Sequence, residues 1–222
     1  FLTMGRTDDV PFKTLIEGIE SMPAGHFAAW DGVTLDVKRY HRFELEAAQT
    51  TATDIRRELS RAVAEQLVSD VPIGVTISGG LDSSAIVAVA DDIRQQEGSE
   101  RPLHVFAFHD ALAQADERPY QDAVISALKS SHVVHWVSSS ACQLVDDFDR
   151  YVDSQEEPFA DVSSYGESRL AAAAAANGVR VLLNGIGGDE VFLGYPGFCA
   201  PLFVDLVRGG HFGALRDLVT VW

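Results

Sequence analysis

Apolar positions along this chain follow two regimes that change near residue 53. Before it, short β-like runs, His26 to Trp30 and Thr34 to Tyr40, are bounded by turn clusters at Met22-Pro23-Ala24-Gly25 and Asp31-Gly32. Such punctuation predicts a hairpin, together with a helix, at the end of a β-rich domain over residues 1–46. Residues 47–53 are small and polar without an apolar period, and read as a linker. Beyond them Ile55, Leu59, Val63 and Leu67 recur every four residues, the stripe of an amphipathic helix whose Arg56, Arg57, Glu58, Arg61 and Glu65 face mostly outward.

Alternating units then follow: strand Ile73 to Ile77, helix Asp82 to Gln96, strand Leu103 to Phe108, helix Glu117 to Lys129, strand Val133 to Val137, helix Ala141 to Val152. A further helix, Tyr165 to Ala176, meets the left-handed terminator Asn177-Gly178 before strand Val179 to Leu183. These strands are short continuous apolar runs, as expected when helices cover both faces of a sheet. The predicted fold class over residues 54–222 is α/β, a doubly wound, Rossmann-like parallel sheet. Ligands of such sheets bind beyond the carboxyl ends of the strands, where strand order reverses. The loops after the first, second and fourth strands of this domain should therefore meet at one site.

Composition narrows the class of function. The chain has 222 residues, 46% of them apolar, enough for one large or two modest domains. Lys plus Arg number 17 against 33 Asp plus Glu, a formal charge of −16, which argues against nucleic acid or an anionic membrane as partner. No apolar run is long enough to span a bilayer and residues 1–6 do not resemble the start of a signal peptide, so the expected location is cytoplasmic. The two cysteines, Cys142 and Cys199, are too few for a disulfide framework or a thiolate zinc site and read as small apolar fillers. His132 and His135, three apart in a β-like run, should lie on opposite faces and are read as structural.

Candidate chemistry sits in two loops. Ser78-Gly79-Gly80-Leu81-Asp82-Ser83-Ser84 joins a buried strand to a helix start. Main-chain N–H groups there lack helical partners, glycines admit close approach, and the helix dipole favours an anion, so the loop can cradle phosphate. It lacks the lysine of a Walker-type loop and offers Asp82, with the hydroxyls of Ser78, Ser83 and Ser84. A carboxylate beside bound phosphates is a natural ligand for Mg²⁺, and a loop holding pyrophosphate through Mg²⁺ suits cleavage of ATP between its α and β phosphates. The simpler reading is a tight corner that caps a helix. The second loop, Asn184-Gly185-Ile186-Gly187-Gly188-Asp189-Glu190, repeats the logic after another buried strand, and Asp189 can share a metal with Asp82. Acids that complement a helix dipole are its simpler reading.

Together, Val71-Pro72-Ile73-Gly74 leading into Ser78 to Ser84, and Leu182-Leu183-Asn184-Gly185 leading into Gly187-Gly188-Asp189-Glu190 and Gly194-Tyr195, resemble the synthetase domain of the asparagine synthetase family. That family includes glutamine-dependent asparagine synthetases, β-lactam and carbapenam synthetases and lasso-peptide cyclases. Pro23-Ala24-Gly25-His26 resembles the end of its N-terminal glutaminase-type domain, so the resemblance covers nearly the whole chain. It implies an adenine nucleotide alpha hydrolase-like (PP-loop) fold, ATP and Mg²⁺ as cofactors, and a two-step ligase. A small-molecule or peptide carboxylate is adenylated with release of pyrophosphate, and ammonia from glutamine, or an amine, then displaces AMP. Carried over by motif, Ser78, Gly79, Gly80, Leu81, Asp82, Ser83 and Ser84 would hold pyrophosphate and Mg²⁺, with Asp189 as second metal carboxylate. Asn184 and Gly185 would lie near the α-phosphate, Phe108 beside adenine, and Glu117 at a downstream acid. A homodimer is compatible with the resemblance.

Several departures shape the expectation. Asparagine synthetases carry Glu, and the β-lactam-forming branch Tyr, where this chain has Ile186, which cannot accept a proton. His109 stands where glycine commonly follows the adenine-side residue, and no lysine follows Lys129, whereas the family places a catalytic lysine late in this domain. The chain also does not begin with the glutaminase cysteine, which leads to the expectation that it is a central fragment, cut within the N-terminal domain and before the end of the synthetase domain. The competing readings are a degenerate member that binds nucleotide or a partner without catalysis, and a tRNA-thiolating type of ATP pyrophosphatase, which the acidity opposes.

Overall fold

The computed structural model describes residues 14–42, 50–110, 116–156, 158, 163–192 and 194–221. In the first segment β1 (His26–Trp30) and β2 (Leu35–Arg39) pair antiparallel, His26 opposite Arg39 and Trp30 opposite Leu35. The carboxylate of Asp31 closes the hairpin by accepting from the N–H groups of Val33 (2.8 Å) and Thr34 (2.7 Å), and Gly32 supplies the positive φ of 98°. The helix expected beside this hairpin is not found among the described residues before it, 14–25, which form turns and a bridge.

Helix α1 (Ala52–Gln66) begins inside the stretch read as linker, whose residues 47–49 lie outside the described residues. The cause is a capping box. Thr51 Oγ1 accepts from the N–H of Asp54 at 3.2 Å, and Asp54 Oδ2 accepts from the N–H of Thr51 at 3.1 Å. Val63 is buried, with Leu59 and Leu67 packed around the same cluster, while Ile55 in the first turn stays 41% exposed.

Four strands form the central sheet: β3 (Ile73–Ile77), β4 (Leu103–Asp110), β5 (His132–Ser139) and β6 (Val181–Leu183). Every neighbouring pair is parallel and the order is β5-β4-β3-β6. Helices α2 (Leu81–Gln96) and α3 (Arg118–Ala127) connect β3 to β4 to β5, and α4 (Ala141–Gln155) and α5 (Ser163–Ala176) return the chain to β6 on the far side of β3. Strand order thus reverses between β3 and β6. One buried cluster joins Val75, Ile77, Val105 and Ala107 to Val63 of α1 and to Val87 and Ala90 of α2. The other sets Phe106 against Leu170 and Ala174 of α5, with Val179. Fully burying such side chains stabilises the fold by roughly 1.5–3 kcal/mol each. The protein is therefore an α/β doubly wound parallel sheet covered on both faces, as the continuous apolar strands predict.

Boundaries differ from the pattern where polar residues join a ladder. β4 and β5 run on through His109↔Ser138 and Asp110↔Ser139, because main-chain pairing continues past the last apolar side chain. β6 is shorter than expected; Val179 is buried in the Phe106 cluster but precedes the ladder, which begins at Ile73↔Val181. His135 meets His104 of the adjacent strand, His135 Nε2 lying 2.9 Å from His104 Nδ1, and its ring stacks on Phe106 with centroids 4.5 Å apart. Cys142 is exposed in the first turn of α4 rather than a buried filler, and Cys199 is half-buried. Beyond β6 come α6 (Gly188–Phe192), a 3₁₀ turn (Pro196–Phe198), α7 (Cys199–Arg208) and α8 (Phe212–Val221). No helix among the described residues is long and apolar enough to cross a membrane.

Candidate active site

β3 ends at Ile77, and the chain turns through Ser78, Gly79 and Gly80 into α2. Gly79 has φ +87°, and a Cβ there would lie 3.1 Å from the Glu117 carbonyl oxygen and 3.2 Å from Tyr120 Cβ, so the turn rests against the start of α3. Hydroxyls lock the turn from inside. Ser78 Oγ accepts from the N–H of Gly80 at 3.2 Å and lies 3.0 Å from Ser83 Oγ. Ser83 Oγ also accepts from the N–H of Ser78 at 3.2 Å and donates to the Gly80 carbonyl at 3.3 Å. Buried Ser83 therefore shapes the loop. The N-cap of α2 is Gly80, which makes no side-chain cap, in contrast to Thr51 at α1. The first turn of α2 thus keeps main-chain N–H donors without a capping side chain, where an anion would be favoured.

The second loop leaves β6 and folds over the first. Asn184 Oδ1 accepts from the N–H of Ile186 at 3.2 Å, and the Gly185 carbonyl accepts from Gly188 at 3.1 Å. A Cβ on Gly185 would stand 2.9 Å from the Ser83 nitrogen and 3.1 Å from Asp82 Cβ. One on Gly188 would overlap the Asp82 carboxylate, and one on Gly194 the Asp189 carboxylate. Gly188 and Gly194 are bare because the carboxylates occupy the space, and Gly185 because the start of α2 does.

Between the two loops lies a cavity of about 560 Å³, at the point where strand order reverses. Of the residues expected at the site, Ser78, Gly80, Leu81, Asp82, Ser83, Phe108, Asn184, Gly185 and Asp189 line it. Gly79 and Ser84 do not: Gly79 backs onto α3, and Ser84 continues α2 with its N–H donating to the Gly80 carbonyl. Glu117, the N-cap of α3, touches the loop only through its main chain. His109 ends near Asp116, 3.9 Å away, and does not line the cavity.

Pattern reading missed the contribution of α5. Gly166, Glu167 and Leu170 also line the cavity, and a Cβ on Gly166 would lie 2.9 Å from the Phe108 ring. A glycine inside an otherwise alanine-rich helix was the available signal, since it costs helix stability unless something approaches closely. Phe192 and Tyr195 add apolar wall, and Tyr195 donates to Glu190 Oε1 at 3.2 Å. That hydrogen bond and the adjacent negative charge push the Tyr195 phenol above its ordinary range. Among the described residues the lining carries four carboxylates, Asp82, Glu167, Asp189 and Glu190, and no Lys, Arg or His. Among the described residues no three metal-ligating side chains cluster. Two carboxylates open to a cavity fit Mg²⁺, which retains waters and takes further oxygens from substrate phosphates.

A parallel sheet whose switch point carries an uncapped helix start and a cavity lined by Asp82 and Asp189 is an α/β architecture of the kind that takes its ligand beyond the carboxyl ends of the strands. Comparison with known proteins makes the assignment specific: the family model described as asparagine synthase matches residues 54–218. The chain belongs to the asparagine synthase family. It is 32% identical over 203 residues to asparagine synthetase 3 (glutamine-hydrolyzing) of Bacillus subtilis, covering 85% of this chain and 32% of that protein. Asparagine synthetase B (glutamine-hydrolyzing) of Escherichia coli is 31% identical over 192 residues, 80% of this chain and 34% of that protein. Amidase chyE of Penicillium rubens is 26% identical over 215 residues, 87% of this chain and 31% of that protein. The chain thus spans about a third of the length of these relatives.

Proposed function

We propose that the protein to which this chain belongs is an AMP-forming amide ligase. A carboxylate oxygen attacks the α-phosphorus of ATP, the bond to the β-phosphate bridging oxygen breaks, and pyrophosphate leaves. Ammonia or an amine then attacks the acyl carbon, the acyl–oxygen bond breaks, AMP departs, and the nitrogen loses a proton. The observation that carries this reading is the meeting of Asp82 and Asp189 in one cavity beside the uncapped start of α2. The N–H groups of that turn would bind the β and γ phosphates, and Phe108 would flank the adenine. Mg²⁺ held by Asp82 and Asp189 would neutralise charge developing on the leaving pyrophosphate.

Ile186, 69% exposed at the cavity, cannot take the proton from the nitrogen. It favours a second reading, a member that binds nucleotide without turnover. Catalysis remains the stronger reading, because Glu190 and Glu167 line the same cavity and can accept a proton. The test is exchange of labelled pyrophosphate into ATP by the full-length protein over a panel of carboxylates. Asp82→Asn and Asp189→Asn should each lower exchange at least ~100-fold by removing metal charge from the leaving group. Normal exchange in both variants would sink the site assignment, and Mg-ATP binding with no exchange under any carboxylate would establish the binding-only reading.

A further inference from the structure

One fully buried polar side chain near the site belongs to neither loop. Gln121, in the first turns of α3, is 1% exposed, and its Nε2 donates to the carbonyls of Phe108 (2.8 Å) and Ile77 (3.3 Å). Both partners are acceptors only, so the amide nitrogen must face them. The main-chain ladder between β3 and β4 stops at Ile77↔Ala107. Past it, β4 stays paired with β5 to Asp110↔Ser139, while β3 turns away into Ser78. The Gln121 amide bridges the two strands where they part. Its Cγ also supports the turn from behind, 3.4 Å from where a Cβ on Gly79 would stand.

Its contribution to stability is mixed: Nε2 satisfies two main-chain carbonyls, while Oε1 is buried without a hydrogen-bond partner among the described residues, a state that costs free energy. What the amide holds is the spacing between two strand ends that both reach the cavity: Ile77 leads directly into Ser78, and Phe108 lines the same cavity from the neighbouring strand. We infer that Gln121 is a positioning residue whose amide sets the spacing between the Ser78–Gly80 turn and the Phe108 wall, and so the fit of an adenine nucleotide spanning both. This rests on the nucleotide reading of the cavity given above.

A tether between two walls matters to a ligand that touches both, and little to one that touches only one. The test is calorimetric titration of full-length wild type and Gln121→Met with Mg-ATP and, separately, with Mg-pyrophosphate, alongside thermal melts. Gln121→Met should weaken Mg-ATP about tenfold, leave Mg-pyrophosphate within about twofold, and melt lower than wild type by up to about 10 °C because the Ile77 and Phe108 carbonyls lose their donor. Equal weakening of both ligands, or of neither, would overturn the inference. Should Gln121→Met fail to fold, Gln121→Asn keeps the amide on a shorter arm and should show the same selective loss at smaller size; a uniform loss there overturns it equally. Wild type binding neither ligand would instead sink the nucleotide reading, and the inference with it.

Discussion

Gly185, where the second loop meets main-chain atoms of the first, is the most direct place to perturb their packing. Gly185→Ala adds one methyl whose carbon would stand 2.9 Å from the Ser83 nitrogen, 3.1 Å from Asp82 Cβ and 3.3 Å from the Asp82 carbonyl carbon. Two of these are main-chain atoms of the first turn of α2 and cannot rotate away. Gly185 does not have positive φ, so alanine brings crowding without backbone strain. Restoring ordinary contact near 3.5 Å requires the loops to separate by about 0.5 Å. Overpacking of this kind costs roughly 1–3 kcal/mol, a melting point lower by about 3–10 °C. Because the shift separates the helix bearing Asp82 from the loop leading to Asp189, pyrophosphate exchange should fall about 10- to 100-fold. Gly213→Ala, with nothing within 4 Å of the new carbon, is the control and should leave both readouts unchanged. Exchange within twofold of wild type in Gly185→Ala would show that the loop contact does not set the geometry of the chemistry.

Other outcomes follow from single contacts. Gly166→Ala pushes a methyl to 2.9 Å from the Phe108 ring and should raise KM for ATP several-fold with kcat less affected, while alanine's helix preference holds the melting temperature; an unchanged KM would remove Phe108 from the nucleotide wall. For Asp91, burial opposes ionisation, but the Ser130 hydroxyl and the N–H groups of Lys129 and Ser130 outweigh it and hold the carboxyl below its usual range. Its stabilising effect is present above the unfolded pKa of about 3.9 and is lost as pH falls through the lower folded value. Asp91→Asn should therefore cost about 1–3 kcal/mol in urea unfolding at pH 7, and the gap to wild type should narrow below about pH 4; a constant gap would refute the assignment. Burial, then the charge of His104, lowers the His135 pKa, so the unfolded chain takes up the proton first. That contribution is present above about pH 6.5 and is lost as pH falls through the folded value. His135→Phe should flatten the fall in melting temperature below about pH 6.5, and an equally steep fall in the variant would point to another group.

What the chain reveals before folding is uneven for physical reasons. The parallel sheet and the two loops could be read directly, because a buried strand is a continuous apolar run and a phosphate-sized turn needs glycine and small polar residues in immediate succession. Asp82 and Asp189 stand out in such turns without any knowledge of their neighbours. Gln121 and Gly166 do not: each acts through a residue far from it in sequence, Gln121 through Ile77 and Phe108, Gly166 through the Phe108 ring. Ser83 was expected among the phosphate ligands, yet its hydroxyl is buried in the hydrogen bonds that shape its own loop. Hydroxyl donors in a motif divide into those that meet a ligand and those that hold the turn, and only burial separates them.

That division bears on Ile186. The second loop keeps every feature that makes room for its neighbour: Gly185 against α2, Gly188 against the Asp82 carboxylate, Gly194 against that of Asp189. Gly185 is bare because main-chain atoms of α2 crowd it, whereas Gly188 and Gly194 are bare only because of the Asp82 and Asp189 carboxylates, which a loop released from metal and phosphate chemistry would have no need to accommodate. Position 186 instead brings an exposed aliphatic residue to the lining of the cavity. On the proposed reading, the acids that would serve the leaving group are kept while a proton acceptor at this position is not. The change would then fall on the nucleophile's half of the proposed reaction, and Glu190 and Glu167, the lining carboxylates outside the proposed metal pair, are the first residues at which to look for its base.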